Sequence, residues 1–411
     1  MLSRQIIFKT LQPLQRGSLE LILPEGERRV FGGLNKDFQA RIEVKDENFF
    51  HRCVFFGPIG FGESYMAGEW DTPDLAKVIA WFILNAEDTG GMKTRKGRSN
   101  PLLNLLNAYN RFVHLRRPNS LGKSRENISE HYDLSNAFFK LWLDPSMTYS
   151  SAYFDPPSLS LEEAQTKKYD NLCRKLQLAA TDHVLEIGSG WGGFSMHAAK
   201  TYGCKVTTIT ISEEQYAEAS KRIQAAGLQD RITILFSDYR VVEGQFDKIA
   251  SIEMLEAVGD KYVDEYFATC SRLLKPHGLI GLQAILCPDQ QYEILRDGVD
   301  FIQKHIFPGS LLMSLGRVAQ ALQKTGDFNL LVYEDMALHY AKTLKIWCEN
   351  FETVLDEVRG QGFDEIFIRK WRYYLRYCEA AFGMRHITVA QMVYTRPNNL
   401  SLNADVYDMG A

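Results

Sequence analysis

No stretch of this 411-residue chain approaches the ~18 consecutive apolar residues of a membrane span, so a soluble or peripheral protein is expected. Its seven cysteines (Cys53, Cys173, Cys204, Cys270, Cys287, Cys348 and Cys378) include no Cys-x-x-Cys pair. That argues against a disulfide framework or a zinc site and for reduced thiols in a cytoplasmic protein; no metal is expected. Met1 to Gly17 lacks the apolar core of a signal peptide. A net charge of −4 excludes a general polyanion binder, and no nucleic-acid partner is expected. The 45% hydrophobic content is ample for packed cores.

Length suggests roughly two to three domains. Residues 1–90 read as a small α+β domain. Ser18 to Leu23 and Phe38 to Val44 alternate as half-buried strands do, Gly57 to Gly62 carries turn chemistry, and Asp71 to Asp74 caps a helical pattern through Ala86. Residues 91–125 form a linker. From Thr89 to Arg125 there are nine Lys or Arg and no Asp or Glu, and Leu102, Leu105, Leu106, Tyr109, Phe112 and Val113 fall on one helical face. Such a basic amphipathic helix can lie on an anionic membrane surface or pack on its own core.

Beyond the linker the pattern changes. Leu161–Leu178 is helical, and Val184–Ile187, Lys205–Thr210, Ile232–Phe236, Lys248–Ile252 and Leu279–Ala284 read as strands separated by helices. This predicts an α/β fold with a largely parallel, Rossmann-like sheet. Residues 290–395 read as long added helices rich in Tyr, Phe and Trp, and 397–411 as a polar tail.

The first of these strands leads into Glu186-Ile187-Gly188-Ser189-Gly190-Trp191-Gly192-Gly193. Glycines admit φ > 0 and close backbone approach, and the following helix offers free N–H groups. The spacing departs from the Gly-x-Gly-x-x-Gly dinucleotide pattern. Glu186, two residues before the first glycine, can meet an ammonium, so S-adenosylmethionine (SAM) is the ligand these residues suggest. A nicotinamide-binding or purely structural turn is the alternative.

Further segments follow in order: His131-Tyr132-Asp133-Leu134-Ser135-Asn136, Leu143-Asp144-Pro145-Ser146-Met147-Thr148-Tyr149-Ser150-Ser151, Thr210-Ile211-Ser212-Glu213-Glu214-Gln215, Ser237-Asp238-Tyr239-Arg240, Ile252-Glu253-Met254-Leu255-Glu256-Ala257-Val258-Gly259, and His339-Tyr340-Ala341-Lys342. Together with the glycine loop they resemble the cyclopropane-fatty-acyl-phospholipid synthases and, more distantly, the mycolic acid cyclopropane synthases. The resemblance covers most of residues 126–395 and extends to the small N-terminal domain.

It implies a SAM-dependent methyltransferase domain at 126–396 and a lipid- or substrate-associated domain at 1–90. In that family the cis double bond of an acyl chain attacks the SAM methyl, and the cationic product loses a proton as the ring closes. Methylation of the acyl chain without ring closure and non-catalytic lipid binding are the alternatives. By resemblance, Tyr132, Tyr149 and Ser150 close over SAM. Glu186, Gly188 and Gly190 hold its amino acid part, Thr210, Ile211 and Gln215 the ribose side, and Asp238 and Tyr239 the adenine. The substrate is an unsaturated acyl phospholipid, and the expected location is the cytoplasmic, inner surface of an anionic membrane, with a homodimer possible by resemblance.

Family members take the proton with a bound bicarbonate. Here Glu256, Tyr340 and the backbone of Ile285 match its partners, whereas Ser151 replaces a cysteine and Gln283 a histidine. Glutamine can donate to bicarbonate but cannot titrate. Glu256 can itself act as base if burial raises its pKa, so both remain candidates.

Overall fold

The alternating segments near the N-terminus form strands. In the computed structural model, which describes residues 2–33, 38–86, 135–325 and 327–402, four strands build a sheet in the order β2-β1-β3-β4. They are β1 (Ser18–Ile22), β2 (Arg28–Gly32), β3 (Gln39–Val44) and β4 (Trp70–Asp71), and β1 runs parallel to β3. Alternation buries Leu19, Leu21, Ala40, Ile42 and Val44. The Gly57–Gly62 segment, expected as a turn, is a kink inside helix Asn48–Met66. Gly57 adopts φ 55°, and Pro58, which has no N–H to donate, follows it. Asp74 starts helix Leu75–Leu84 as expected, accepting from the Lys77 N–H at 3.0 Å.

Helix Glu365–Gly383 packs on helices Asn48–Met66 and Leu75–Leu84. Gly62 has no Cβ to hold off the rings of Phe301 and Tyr373. Residues 293–308 and 341–387, which the sequence assigns to the span 126–396, therefore group with the N-terminal residues in one of two compact units.

The second unit holds a seven-stranded sheet, β10-β11-β9-β8-β5-β6-β7. Its strands are β5 (His183–Ile187), β6 (Lys205–Thr210), β7 (Ile232–Phe236), β8 (Phe246–Ile252), β9 (Leu274–Leu286), β10 (Asn329–Asp335) and β11 (Thr388–Thr395). β5 to β9 run parallel, as the alternation predicts. β11 runs antiparallel to β9 and β10. The expectation of helices alone over 290–395 is thus corrected by two strands. β11 is buried on both faces and shows no period of two, and β10 is a half-exposed edge.

Helix Leu161–Lys175 opens with a capping box between Ser160 and Glu163. Leu172 and Leu176 pack with Val184, Phe194, Val206 and Leu279 into the core. Gly281 of β9 leaves the space these two leucines fill. Among the described residues no helix is long and apolar enough to cross a membrane, and no cluster could hold a metal ion. The seven cysteines are free. The basic linker, Tyr132 and the last nine residues of the tail lie outside the described residues.

Candidate active site

Parallel sheets bind ligands beyond the carboxyl ends of their strands. At the end of β5 the chain turns through Gly188, Gly190 and Gly192 with φ of 94°, 48° and 87°. The N–H groups of Gly188 and Ser189 donate to the Ile209 carbonyl at 3.1 and 2.8 Å, which fixes the turn against β6. A Cβ at Gly190 would meet nothing within 4 Å, so the loop borders open space. Helix Gly193–Tyr202 starts there.

Glu186 is buried at the end of β5 and accepts from Thr208 Oγ1 at 2.6 Å. Desolvation pushes its carboxyl up to about 8. On β6, Thr210 Oγ1 donates to Gln215 Oε1 at 3.0 Å, with half-buried Ile211 beside them. Asp238 follows β7 and holds Arg240 through both oxygens, at 2.8 and 2.7 Å, while Tyr239 packs edge-on against Tyr266. Tyr149 packs against Phe139, which contacts Trp191 of the glycine loop. The Ser150 hydroxyl accepts from Lys168 Nζ at 2.7 Å. Lys168 is completely buried and pushed down to about 7 by desolvation; sequence reasoning missed it.

The residues expected around bicarbonate divide between two carboxylates. Glu256 Oε1 accepts from the Ile285 N–H at 2.5 Å. The other partners converge on Glu253, which sequence reasoning passed over. Its Oε1 accepts from the Ser151 N–H and from Gln283 Nε2, both at 2.8 Å. Its Oε2 accepts from the Tyr340 hydroxyl at 2.8 Å. Ser151 contributes its backbone, so the change from cysteine leaves this donor in place. The signal available in the sequence was position: Glu253 immediately follows β8, at a strand's carboxyl end.

Among the described residues Glu253 is also one of five non-glycine residues with positive φ, at 49°, a conformation retained chiefly where surroundings enforce it. Burial raises its carboxyl, and the donors from Ser151, Gln283 and Tyr340, with the charge of Lys168, oppose that rise. Glu256 is pushed up to about 8 by burial and by the neighbouring Glu253 charge. Its Oε2 is buried without a hydrogen-bond partner. Burial thus favours the protonated form of Glu256, and the donors that would steady an anion gather on Glu253 instead.

These contacts test the two expected small molecules. A glycine turn bordering open space, a buried acid and a helix start fit the polar end of SAM. Bicarbonate does not fit: three of its expected donors are committed to the Glu253 carboxylate. The cluster adjoins the loop, since a Cβ at Gly188 would lie 3.2 Å from Met254, the residue after Glu253.

A parallel sheet with this loop at its carboxyl edge defines a SAM-dependent methyltransferase. Within that class the chain belongs to the mycolic acid cyclopropane synthetase family, whose model matches residues 119–392. It is 36% identical over 365 residues to the cyclopropane-fatty-acyl-phospholipid synthase of Escherichia coli, covering 88% of this chain and 90% of that one. It is 37% identical over 358 residues to the tuberculostearic acid methyltransferase UfaA1 of Mycobacterium tuberculosis, covering 83% and 79%. The solved structure of mycolic acid cyclopropane synthase CmaA1, complexed with SAH and CTAB, superposes with a TM-score of 0.62 at 29% identity. That match covers 66% of this chain and 98% of the other.

Proposed function

We propose that this enzyme transfers a one-carbon unit from SAM to the cis double bond of an unsaturated acyl chain in a membrane phospholipid, forming a cyclopropane. Support comes from the E. coli relative, which matches over most of both chains. The observation that carries the reading is the Glu253 carboxylate held by Ser151, Gln283 and Tyr340 beside the glycine loop.

SAM, when bound, supplies an electrophilic methyl carbon. Glu186, Gly188 and Gly190 would hold its amino acid end, Thr210, Ile211 and Gln215 its ribose side, and Asp238 and Tyr239 its adenine side. Tyr149 and Ser150 would cover it. As the alkene pair bonds to the methyl carbon, the methyl–sulfur bond would break with its electrons going to sulfur, releasing S-adenosylhomocysteine, and positive charge would develop on the acyl chain. Glu253 then takes a proton from the added carbon, and the released C–H pair closes the ring. Oε2 is the oxygen for this role, because it accepts one hydrogen bond where Oε1 accepts two. The charged carboxylate also opposes the developing cation electrostatically. Tyr340 steadies Oε2, and the Ile285 N–H fixes the Glu256 carboxyl through Oε1.

The reading places the protein peripherally on the inner surface of an anionic membrane, with residues 101–117 as the contact and a homodimer as the assembly. The test is mass spectrometry of fatty acids released after incubation with methyl-deuterated SAM and liposomes of monounsaturated phospholipid. One added carbon with two deuteriums and no alkene is expected. Retention of an alkene, or a methyl branch, would overturn ring formation.

A further inference from the structure

A row of polar side chains, part-exposed at its outer end and fully buried at its inner end, crosses the sheet behind Glu253, where apolar residues would pack at less cost. Glu334 of β10, Gln391 of β11 and Gln283 of β9 are successive register partners, and Gln283 in turn pairs with Ile252, the residue before Glu253. Gln391 and Gln283 are 0% and 1% exposed. Lys175, from helix Leu161–Lys175, donates to Gln391 Oε1 at 2.7 Å and is anchored by the Glu334 carboxylate. Gln391 Nε2 donates to Gln283 Oε1 at 3.1 Å and to the Lys168 carbonyl at 3.2 Å. Gln283 Nε2 donates to Glu253 at 2.8 Å and approaches the Ser151 carbonyl at 3.4 Å.

An amide has nearly isosteric ends, and the hydrogen-bond network decides which end points where. A flipped Gln283 would aim its oxygen at the Glu253 carboxylate. Gln391 prevents this, because the flip would also set two N–H groups against each other. Gln391 is fixed in turn by a lysine that can only donate and a carbonyl that can only accept. Direction therefore passes from Lys175 inward, one amide at a time.

We propose that Lys175 and Gln391 are positioning residues: their directed row of hydrogen bonds forces Gln283 to present N–H to Glu253 and so favours the ionised form of that carboxylate. The inference rests on Glu253 being the proton acceptor. A histidine in place of Gln283 could orient itself by protonation, whereas a glutamine needs an external director. The other groups facing Glu253 are Lys168 from helix Leu161–Lys175, Glu256 from the turn Leu255–Ala257 and Tyr340 from helix Ala337–Thr353. Substitutions at Lys175 change none of these side chains; Gln391 touches Lys168 only through that residue's backbone carbonyl.

The test is the pH profile of kcat for the full-length protein on monounsaturated phospholipid liposomes, with SAM affinity and Tm measured in parallel. Gln391→Glu keeps shape and the lysine partner but offers Gln283 an acceptor where it needs a donor. It should move the acid limb up by about one pH unit, so that kcat well down that limb falls by up to roughly tenfold, with SAM affinity retained. Lys175→Met should act in the same direction, and Lys175→Arg, which keeps a cationic donor, should recover most of the rate. A purely packing role would lower Tm without moving the limb. Wild-type limbs in both Gln391→Glu and Lys175→Met would overturn the inference. Glu253→Gln separates the two levels: if it is inactive while those limbs stay put, only the row fails. If it turns over normally, the underlying reading of Glu253 fails.

Discussion

The hydroxyl of Tyr340 donates to Oε2 of Glu253 at 2.8 Å, across 87 positions of sequence. Glu256, the carboxylate that the resemblance pairs with this tyrosine, has an unpartnered buried oxygen instead. Two glutamates three residues apart thus stand in different settings: burial raises both carboxyls, but Glu253 gathers three donors that oppose the rise, whereas Glu256 keeps a buried oxygen without a partner. Donors that favour the ionised form are what a proton-accepting carboxylate needs, and they gather on Glu253.

Replacing the acceptor should separate chemistry from binding. Glu253→Gln keeps the shape but removes the charge, and should lower kcat by about 100- to 10,000-fold while SAM affinity changes little. Single-turnover kinetics with a SAM titration checks this. Equal losses in turnover and SAM affinity would point to a binding role.

Tyr340→Phe removes one donor from Oε2 and leaves the ring. Turnover should fall by roughly tenfold, and the acid limb of kcat should rise, because the anion loses a stabilising hydrogen bond. The pH–rate profile reads both.

Glu186 leads to a proton-coupled binding prediction. Desolvation holds its carboxyl at about 8 in the ligand-free protein, so it is largely protonated at pH 7. An ammonium beside it favours the ionised form, so SAM binding at pH 7 should release a proton. Calorimetry in buffers of different ionisation enthalpy detects this as a buffer-dependent heat. Glu186→Gln should abolish that dependence and weaken binding by at least roughly tenfold.

Stability should respond to Glu256 with a defined sign. Its folded-state pKa of about 8 lies above the ordinary carboxyl value of 4.5, so the folded chain holds the proton more tightly than the unfolded chain. This contribution is fully present at low pH and is lost as pH rises from about 4.5 to 8. Glu256→Gln should therefore raise Tm at pH 9 relative to the wild type, with the gap closing near pH 5. Thermal unfolding at the two pH values checks it.

Much of this architecture was legible because short apolar runs followed by glycine or acidic caps announce parallel strands. β5 to β7 begin or end within a residue of their expected limits. β11 escaped because Thr388–Thr395 is buried on both faces, which erases the alternation that marks a half-buried strand. The Gly57–Pro58 kink escaped because the same residues serve a turn or a bent helix, and packing decides between them. At the site, the glycine loop and Glu186 were readable from spacing. Glu253 was not, since its role depends on Ser151, Gln283 and Tyr340 arriving from three distant segments. Lys168, Lys175 and Gln391 look like ordinary polar residues in sequence; burial alone gives them meaning.

The central claim is that the protein's own carboxylate receives the proton that bicarbonate would otherwise take. The direct measurement is turnover of methyl-deuterated SAM on monounsaturated phospholipid liposomes, in buffer stripped of carbon dioxide and again with bicarbonate added. It should be run for wild type and Glu253→Gln. The account predicts a wild-type rate independent of bicarbonate, with two deuteriums in a ring-closed product, and loss of that product in Glu253→Gln. A wild-type rate that collapses on depletion and returns with bicarbonate would contradict it.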